Sequence, residues 1–181
     1  MKPKTNRCRR LGAPKIIKPR EFKVLLQKAT PQTLPAFILA GFCGLRLAEI
    51  QNLDWKDVDF ERKQILVCGG KSSSLKRAVS LPDAAVAWLT PFGKRSGRVM
   101  DGLSAATLTA EMRCVWKEAK CAATPHSLRY SSAAYWLSLD GEAKTAKEFG
   151  FSLIMLVDLF NNLVRKRRAK AWFSIFPPIQ P

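Results

Sequence analysis

Apolar residues recur at three- and four-residue steps along most of this chain and at two-residue steps in one short stretch. The first pattern predicts helices and the second predicts strands. "PREFKVLLQKA" (19–29) reads as a helix with Pro19 in its first turn. "TPQTLPAFILAGFCG" (30–44) is a second, strongly apolar and therefore central helix that stops at Gly44. "LRLAEIQNL" (45–53) predicts a short helix. The period then changes to alternation, with Val58, Phe60, Ile65 and Val67 marking strands, so residues 58–81 predict a small antiparallel sheet. "DAAVAWLTPF" starts a helix with Asp83 as its expected N-cap. Three more helical stretches follow: 104–122, 124–141 with Thr124 as a cap, and 142–150 ending at a glycine. Residues 152–164 close the series as the last main helix. The expected class is mainly α with one small antiparallel sheet. A basic arm (1–18) precedes a domain over 19–176, and a tail (177–181) follows it.

Composition sharpens this picture. The chain has 181 residues and 47% apolar content, which suits one domain with a real core. Its 31 Lys and Arg against 14 Asp and Glu give a net charge of +17. Self-repulsion of that size is relieved by a polyanion, with DNA or RNA first and an anionic membrane surface second. A plain solubility charge is the bland alternative. Residues 1–20 hold eight Lys or Arg and no acid, and 165–170 read "RKRRAK"; both predict flexible phosphate-gripping arms. The N-terminal cluster lacks the apolar segment of a signal peptide, and no apolar run is long enough to span a bilayer. Five scattered cysteines with no CxxC spacing, and a single histidine far from any cysteine pair, predict reduced thiols in an intracellular protein without a zinc site.

Three short pieces carry candidate chemistry. In "GLRLAEIQNLDWKDVD" (44–59), Arg46 stands just past a glycine break, where a guanidinium can clamp two phosphate oxygens. The structural alternative is an Arg46–Glu49 ion pair at i, i+3. Lys71 sits in the loop between two predicted strands, able to reach a groove or protonate a leaving oxygen, or simply solvated. Lys76 and Arg77 on the returning strand are further phosphate candidates. In "PHSLRYSSAAYWL" (125–137), His126 and Arg129 share one face at a helix start, a setting that suits an anion; the alternative is a capping histidine and a surface arginine.

In order, wording and spacing these pieces resemble the catalytic domain of tyrosine recombinases, the phage integrase family. The first arginine box there reads roughly G-L-R-x-x-E-x-x-x-L-x-W-x-D-[VI]-D. A hairpin lysine precedes a V-x-L-P-like phrase, matched by "GGKSSSLKRAVSLP" (69–82), and the second box is H-x-L-R. The resemblance covers about residues 20–176 and implies the fold of DNA breaking-rejoining enzymes. It implies that Arg46 and Arg129 hold the non-bridging oxygens of a DNA phosphate, that Lys71 is general acid, and that His126 assists proton transfer. It implies no metal or other cofactor. It points to double-stranded DNA as partner, with a second copy or an active recombinase beside it, and not to a membrane. The expected setting is the cytoplasm of a prokaryotic cell, with a phage or mobile element as a possible origin. Spreading charge on a five-coordinate phosphorus calls for cations set in advance, so the physical logic agrees. Lys76, Arg77, Arg165, Lys166, Arg167 and Arg168 are expected DNA contacts.

The family's last box opens G-[HN]-S and reaches its nucleophilic tyrosine about seven residues later. Here "EFGFSLIMLVDLFNNLV" (148–164) puts Phe151 at the polar position, Leu159 at the residue before the nucleophile and Phe160 at the nucleophile. Phenylalanine fills a tyrosine's volume but has no oxygen to attack phosphorus. The expectation is a domain that binds DNA and does not cleave it by the family route. The chain's two tyrosines, Tyr130 and Tyr135, belong to the second box and are expected to lie wrongly for that task. Family members also carry an N-terminal helical domain that closes around DNA. Here a short basic arm stands in its place, so the chain is either a fragment or grips DNA from one side. An enzyme with another nucleophile, or one supplied in trans, is the first alternative. A basic RNA-binding scaffold is the second.

Overall fold

The protein was analysed as a computed structural model, which describes residues 14–68, 76–93, 96–122, 125–160 and 164–178. The helices are α1 (Pro19–Lys28), α2 (Leu34–Phe42), α3 (Leu47–Asn52), α4 (Asp83–Leu89), α5 (Ala105–Glu118), α6 (Pro125–Asp140), α7 (Glu142–Phe149), α8 (Leu153–Phe160) and α9 (Lys166–Phe173). The strands are β1 (Val58–Asp59), β2 (Gln64–Cys68) and β3 (Lys76–Ser80), antiparallel in the order β1-β2-β3. The predicted class, mainly helical with one small antiparallel sheet, is the observed one. Along β2 burial alternates, with Ile65 and Val67 facing the core, as two-residue periodicity requires.

The centre of the molecule is α2. Its sequence, LPAFILAGF, carries no charge and is buried on every side from Pro35 to Phe42, with α1, α3, α4 and α6 packed around it. A buried helix end must find donors for its last carbonyls. Trp172 Nε1 donates to Gly41 O (3.0 Å), and Ser132 Oγ and Trp136 Nε1 donate to Phe42 O (3.1 and 2.8 Å). The C-terminus of α2 is thereby tied to α6 and α9. A smaller cluster of Ala133, Ala134, Ala146, Phe149, Leu156 and Phe160 joins α6, α7 and α8.

Several expectations change. The "RKRRAK" segment was expected as a flexible arm, but it forms the start of α9, whose Trp172 is fully buried. Trp172 stacks on Phe22 (4.2 Å between ring centroids) and Tyr135 (4.5 Å). Alanine 169 and Trp172, three apart, supply the apolar contact that the charges conceal in the sequence. The end of the N-terminal arm is likewise part of the domain. Ile17 is fully buried, its N–H donates to Ser131 Oγ (2.8 Å) and its carbonyl accepts from Tyr135 Oη (2.7 Å). Asp83 is the first helical residue of α4 and not its cap; its carboxylate pairs with Lys63 at 2.6 Å. Of the last predicted helix, 152–164, the described residues show α8 over Leu153–Phe160, and 161–163 lie outside them. Thr124 lies outside the described residues, as does the hairpin tip with Lys71.

Candidate anion-binding site

Gly44 begins the site. It follows α2 with φ +62°, and a Cβ there would lie 2.0 Å from a ring carbon of Phe149, so only glycine fits. The chain then turns into α3, with Arg46 extended at its N-cap position. Glu49, one turn on, collects donors. It accepts from the Arg46 backbone N–H (2.7 Å), Arg46 Nη1 (2.9 Å), and both Arg77 Nη1 and Nη2 (2.9 Å each). The i, i+3 pair read as the structural alternative is therefore present, while half of the Arg46 side chain stays exposed. Burial alone would raise the Glu49 pKa, but hydrogen bonds from Arg77 and Arg46 outweigh it and hold the carboxyl below its usual value.

Arg77 was expected to face DNA. It turns inward instead, gripping Glu49 with two nitrogens and donating Nε to Glu148 O (2.8 Å). Glu148 accepts from Ser80 N and Oγ (3.0 and 2.8 Å), locking β3 to α7. A strand arginine that meets the carboxylate of one helix and a backbone carbonyl of another finds better partners inside than in solvent.

From α6 comes Arg129, 5% exposed. Its Nη1 donates to Gly44 O and its Nη2 to Phe149 O. Its Cζ lies 5.5 Å from the centre of the Phe149 ring and 4.8 Å from that of Phe151. Burial, and then the charge of Arg46, pull its pKa down to about 10. His126, exposed one turn earlier, faces Tyr130 with 6.4 Å between ring centroids.

A cavity of about 750 Å³ gathers these groups. Arg46, His126 and Arg129, which span 84 positions of sequence, all line it, together with Phe151. So does Arg113, which the sequence reading passed over. Its signal was available: Thr109, Met112, Arg113 and Trp116 of α5 repeat at i, i+3, i+4, i+7 and all face this cavity. No carboxylate lines it among the described residues. The result is an apolar-walled hollow with cationic groups, suited to an anion attached to a less polar body.

Phe160 lies one ring behind. It is 1% exposed, with ring centroids 5.7 Å from both Tyr130 and Phe151, and it does not line the cavity. Leu159 packs half-buried against the smaller cluster. The two tyrosines part company. Tyr135 is buried with its hydroxyl bonded to Ile17, whereas Tyr130 lines the cavity. Lys76 opens β3 opposite Cys68. Arg165 stands at the N-cap position of α9 without a side-chain capping bond, and Arg165, Lys166, Arg167 and Arg168 are all exposed, apart from the cavity lining. Among the described residues no group of His, Cys, Asp and Glu could hold a metal ion, and no helix is long and apolar enough to cross a membrane.

Known proteins agree with this architecture. A tyrosine recombinase XerA of Thermococcus onnurineus is 29% identical over 148 residues, covering 75% of this chain and 52% of its own length. A tyrosine recombinase XerC of Xanthomonas axonopodis is 28% identical over 149 residues, 74% of this chain and 48% of that protein. The chain thus spans about half the length of the curated relatives it matches. Among solved structures, a XerA recombinase superposes with TM-score 0.72 at 19% identity, over 90% of this chain and 65% of that one. A lambda integrase dimer bound to a COC' core site gives 0.68 at 17% identity, over 83% and 49%. These likenesses fix the fold as that of a tyrosine recombinase catalytic domain. The sequence model of the phage integrase family matches residues 16–150, most of the chain, and the chain belongs to that family.

Proposed function

We propose that this chain is an intracellular DNA-binding domain that recognises a backbone phosphate of duplex DNA at the cavity and does not cleave a strand by the tyrosine route. One observation carries the reading: Arg46, His126 and Arg129, distant along the chain, line one hollow whose neighbouring ring, Phe160, bears no hydroxyl. Arg46 and His126 reach the anion from the exposed edge, and Arg129 lends its charge from the floor. Lys71, which lies outside the described residues, is assigned to the same phosphate by its place in the sequence pattern. Arg165, Lys166, Arg167 and Arg168 grip neighbouring phosphates along the duplex. The DNA-bound state of related structures, such as the lambda integrase dimer on its core site, supports the choice of duplex DNA.

The test has two arms. Binding to duplex should weaken steeply with salt, and replacing both Arg46 and Arg129 by Ala should abolish most of it. On a nicked substrate the chain should give no covalent adduct, while the triple change Phe151→His, Leu159→His, Phe160→Tyr should restore one. Unchanged binding in the double arginine variant removes the site from the reading. An adduct with the unaltered chain removes inactivity.

One observation favours a second reading, an active enzyme with a substitute nucleophile. Tyr130 lines the cavity one turn after His126 on α6. An adduct from the unaltered chain that disappears in Tyr130→Phe would establish it.

A further inference from the structure

We infer that Arg77 is a positioning residue for phosphate recognition: it occupies Glu49 so that Arg46 keeps a donor edge free for the anion; this rests on the DNA-binding reading above. Strand periodicity puts Arg77 on the inner face of β3 with Val79, opposite buried Val67 of β2. Its side chain is 20% exposed, it does not line the cavity, and its Nε is held by Glu148 O. It therefore acts on a cavity-bound phosphate only through another group.

That group is Glu49, whose oxygens the two arginines share evenly. Oε1 accepts from Arg46 Nη1 and Arg77 Nη1, and Oε2 from the Arg46 backbone N–H and Arg77 Nη2, all at 2.7–2.9 Å. Four donors fill a carboxylate. Arg77 holds the two-pronged position across both oxygens, the arrangement in which a guanidinium and a carboxylate pair most strongly. Arg46 is confined to one side-chain bond, and its Nε and Nη2 meet no other protein group among the described residues. Two guanidinium groups against one carboxylate leave one positive charge, and Arg46, the more exposed of the two, lines the cavity. Without Arg77, the vacated lone pairs draw Arg46 onto both oxygens. Its charge is then cancelled and its fork is turned away from the cavity.

The experiment measures duplex affinity across a salt series, with melting temperatures alongside to confirm folding. Arg77→Ala should bind about tenfold more weakly with a salt slope reduced by about one, as for the loss of one phosphate contact. Adding Glu49→Gln should restore the slope and most of the affinity, because an amide cannot cancel the charge of Arg46. Adding Glu148→Gln instead returns the same formal charge away from Arg46 and should restore neither. Unchanged affinity in Arg77→Ala, or no rescue by Glu49→Gln, overturns the inference. Equal rescue by Glu148→Gln also overturns it, since net charge alone would then account for the loss. Should Arg77→Ala not fold, Arg77→Gln, uncharged but able to donate to Glu49, replaces it in every arm. If the unaltered chain binds no duplex, the DNA reading fails, and the inference is judged on Arg46 by phenylglyoxal labelling mapped by mass spectrometry. Arg77→Ala should then slow labelling of Arg46, and Glu49→Gln added to it should speed labelling again; one rate in all of these proteins overturns it.

Discussion

Glu49 is the residue on which the site's geometry turns, because one carboxylate orders two arginines from different elements. Its folded pKa is depressed, so the stability it contributes is present above the unfolded value of about 4.3 and is lost as pH falls through the folded one. Urea midpoints should therefore drop on acidification below about pH 4.3, and Glu49→Gln should flatten that drop while lowering the neutral value. Arg77→Ala leaves a largely buried carboxylate with Arg46 alone and should cost about 3 kcal/mol in denaturant unfolding. Gly44→Ala meets both a left-handed backbone and the Phe149 ring, and should cost about 2–4 kcal/mol. Cys43 needs no chemical role. Burial, with Glu148 adding to it, raises its thiol pKa far above the usual range, which keeps it unreactive.

At the scale of elements, α9 is two things at once. Its inner side holds Ala169 and Trp172 in the main core, while Lys166, Arg167 and Arg168 stay in solvent. Trp172→Ala should cost about 4 kcal/mol, since it removes two ring stacks and the donor to Gly41 O. Replacing Arg167 and Arg168 with Ala should shift stability by no more than about 0.5 kcal/mol each, as exposed sites do, and reduce the salt slope of duplex binding. Helix α8 is built differently. It buries Leu156 and Phe160 and leaves Leu153 and Ile154 exposed, so Ile154→Lys should be tolerated within about 0.5 kcal/mol by thermal melting.

For the whole molecule, a net charge of +17 on a compact body makes self-repulsion a standing cost that counterions or a polyanion relieve. Stability should accordingly rise with moderate salt, and rise further with a saturating short duplex; melting curves would detect both. Much of this protein could be read along the chain. Helical and alternating periods, and the box residues Arg46, His126 and Arg129, are properties of short windows, and burial of an uncharged helix such as α2 follows from its composition. What lies beyond a window is the choice of partner. Whether Arg77 meets solvent or Glu49 depends on the fold bringing α3 within reach of the β3 side chain. Whether a basic segment is an arm or a packed helix depends on Trp172 finding Phe22 and Tyr135. The separate fates of Tyr130 and Tyr135, and of Arg113 and Arg129, turn on which side of a helix meets the core, and only the assembled structure decides that. The physical reason is that periodicity fixes which residues share a face, whereas the surface opposite that face comes from segments tens of residues away, and it is the opposing surface that determines whether a charge is tied or exposed.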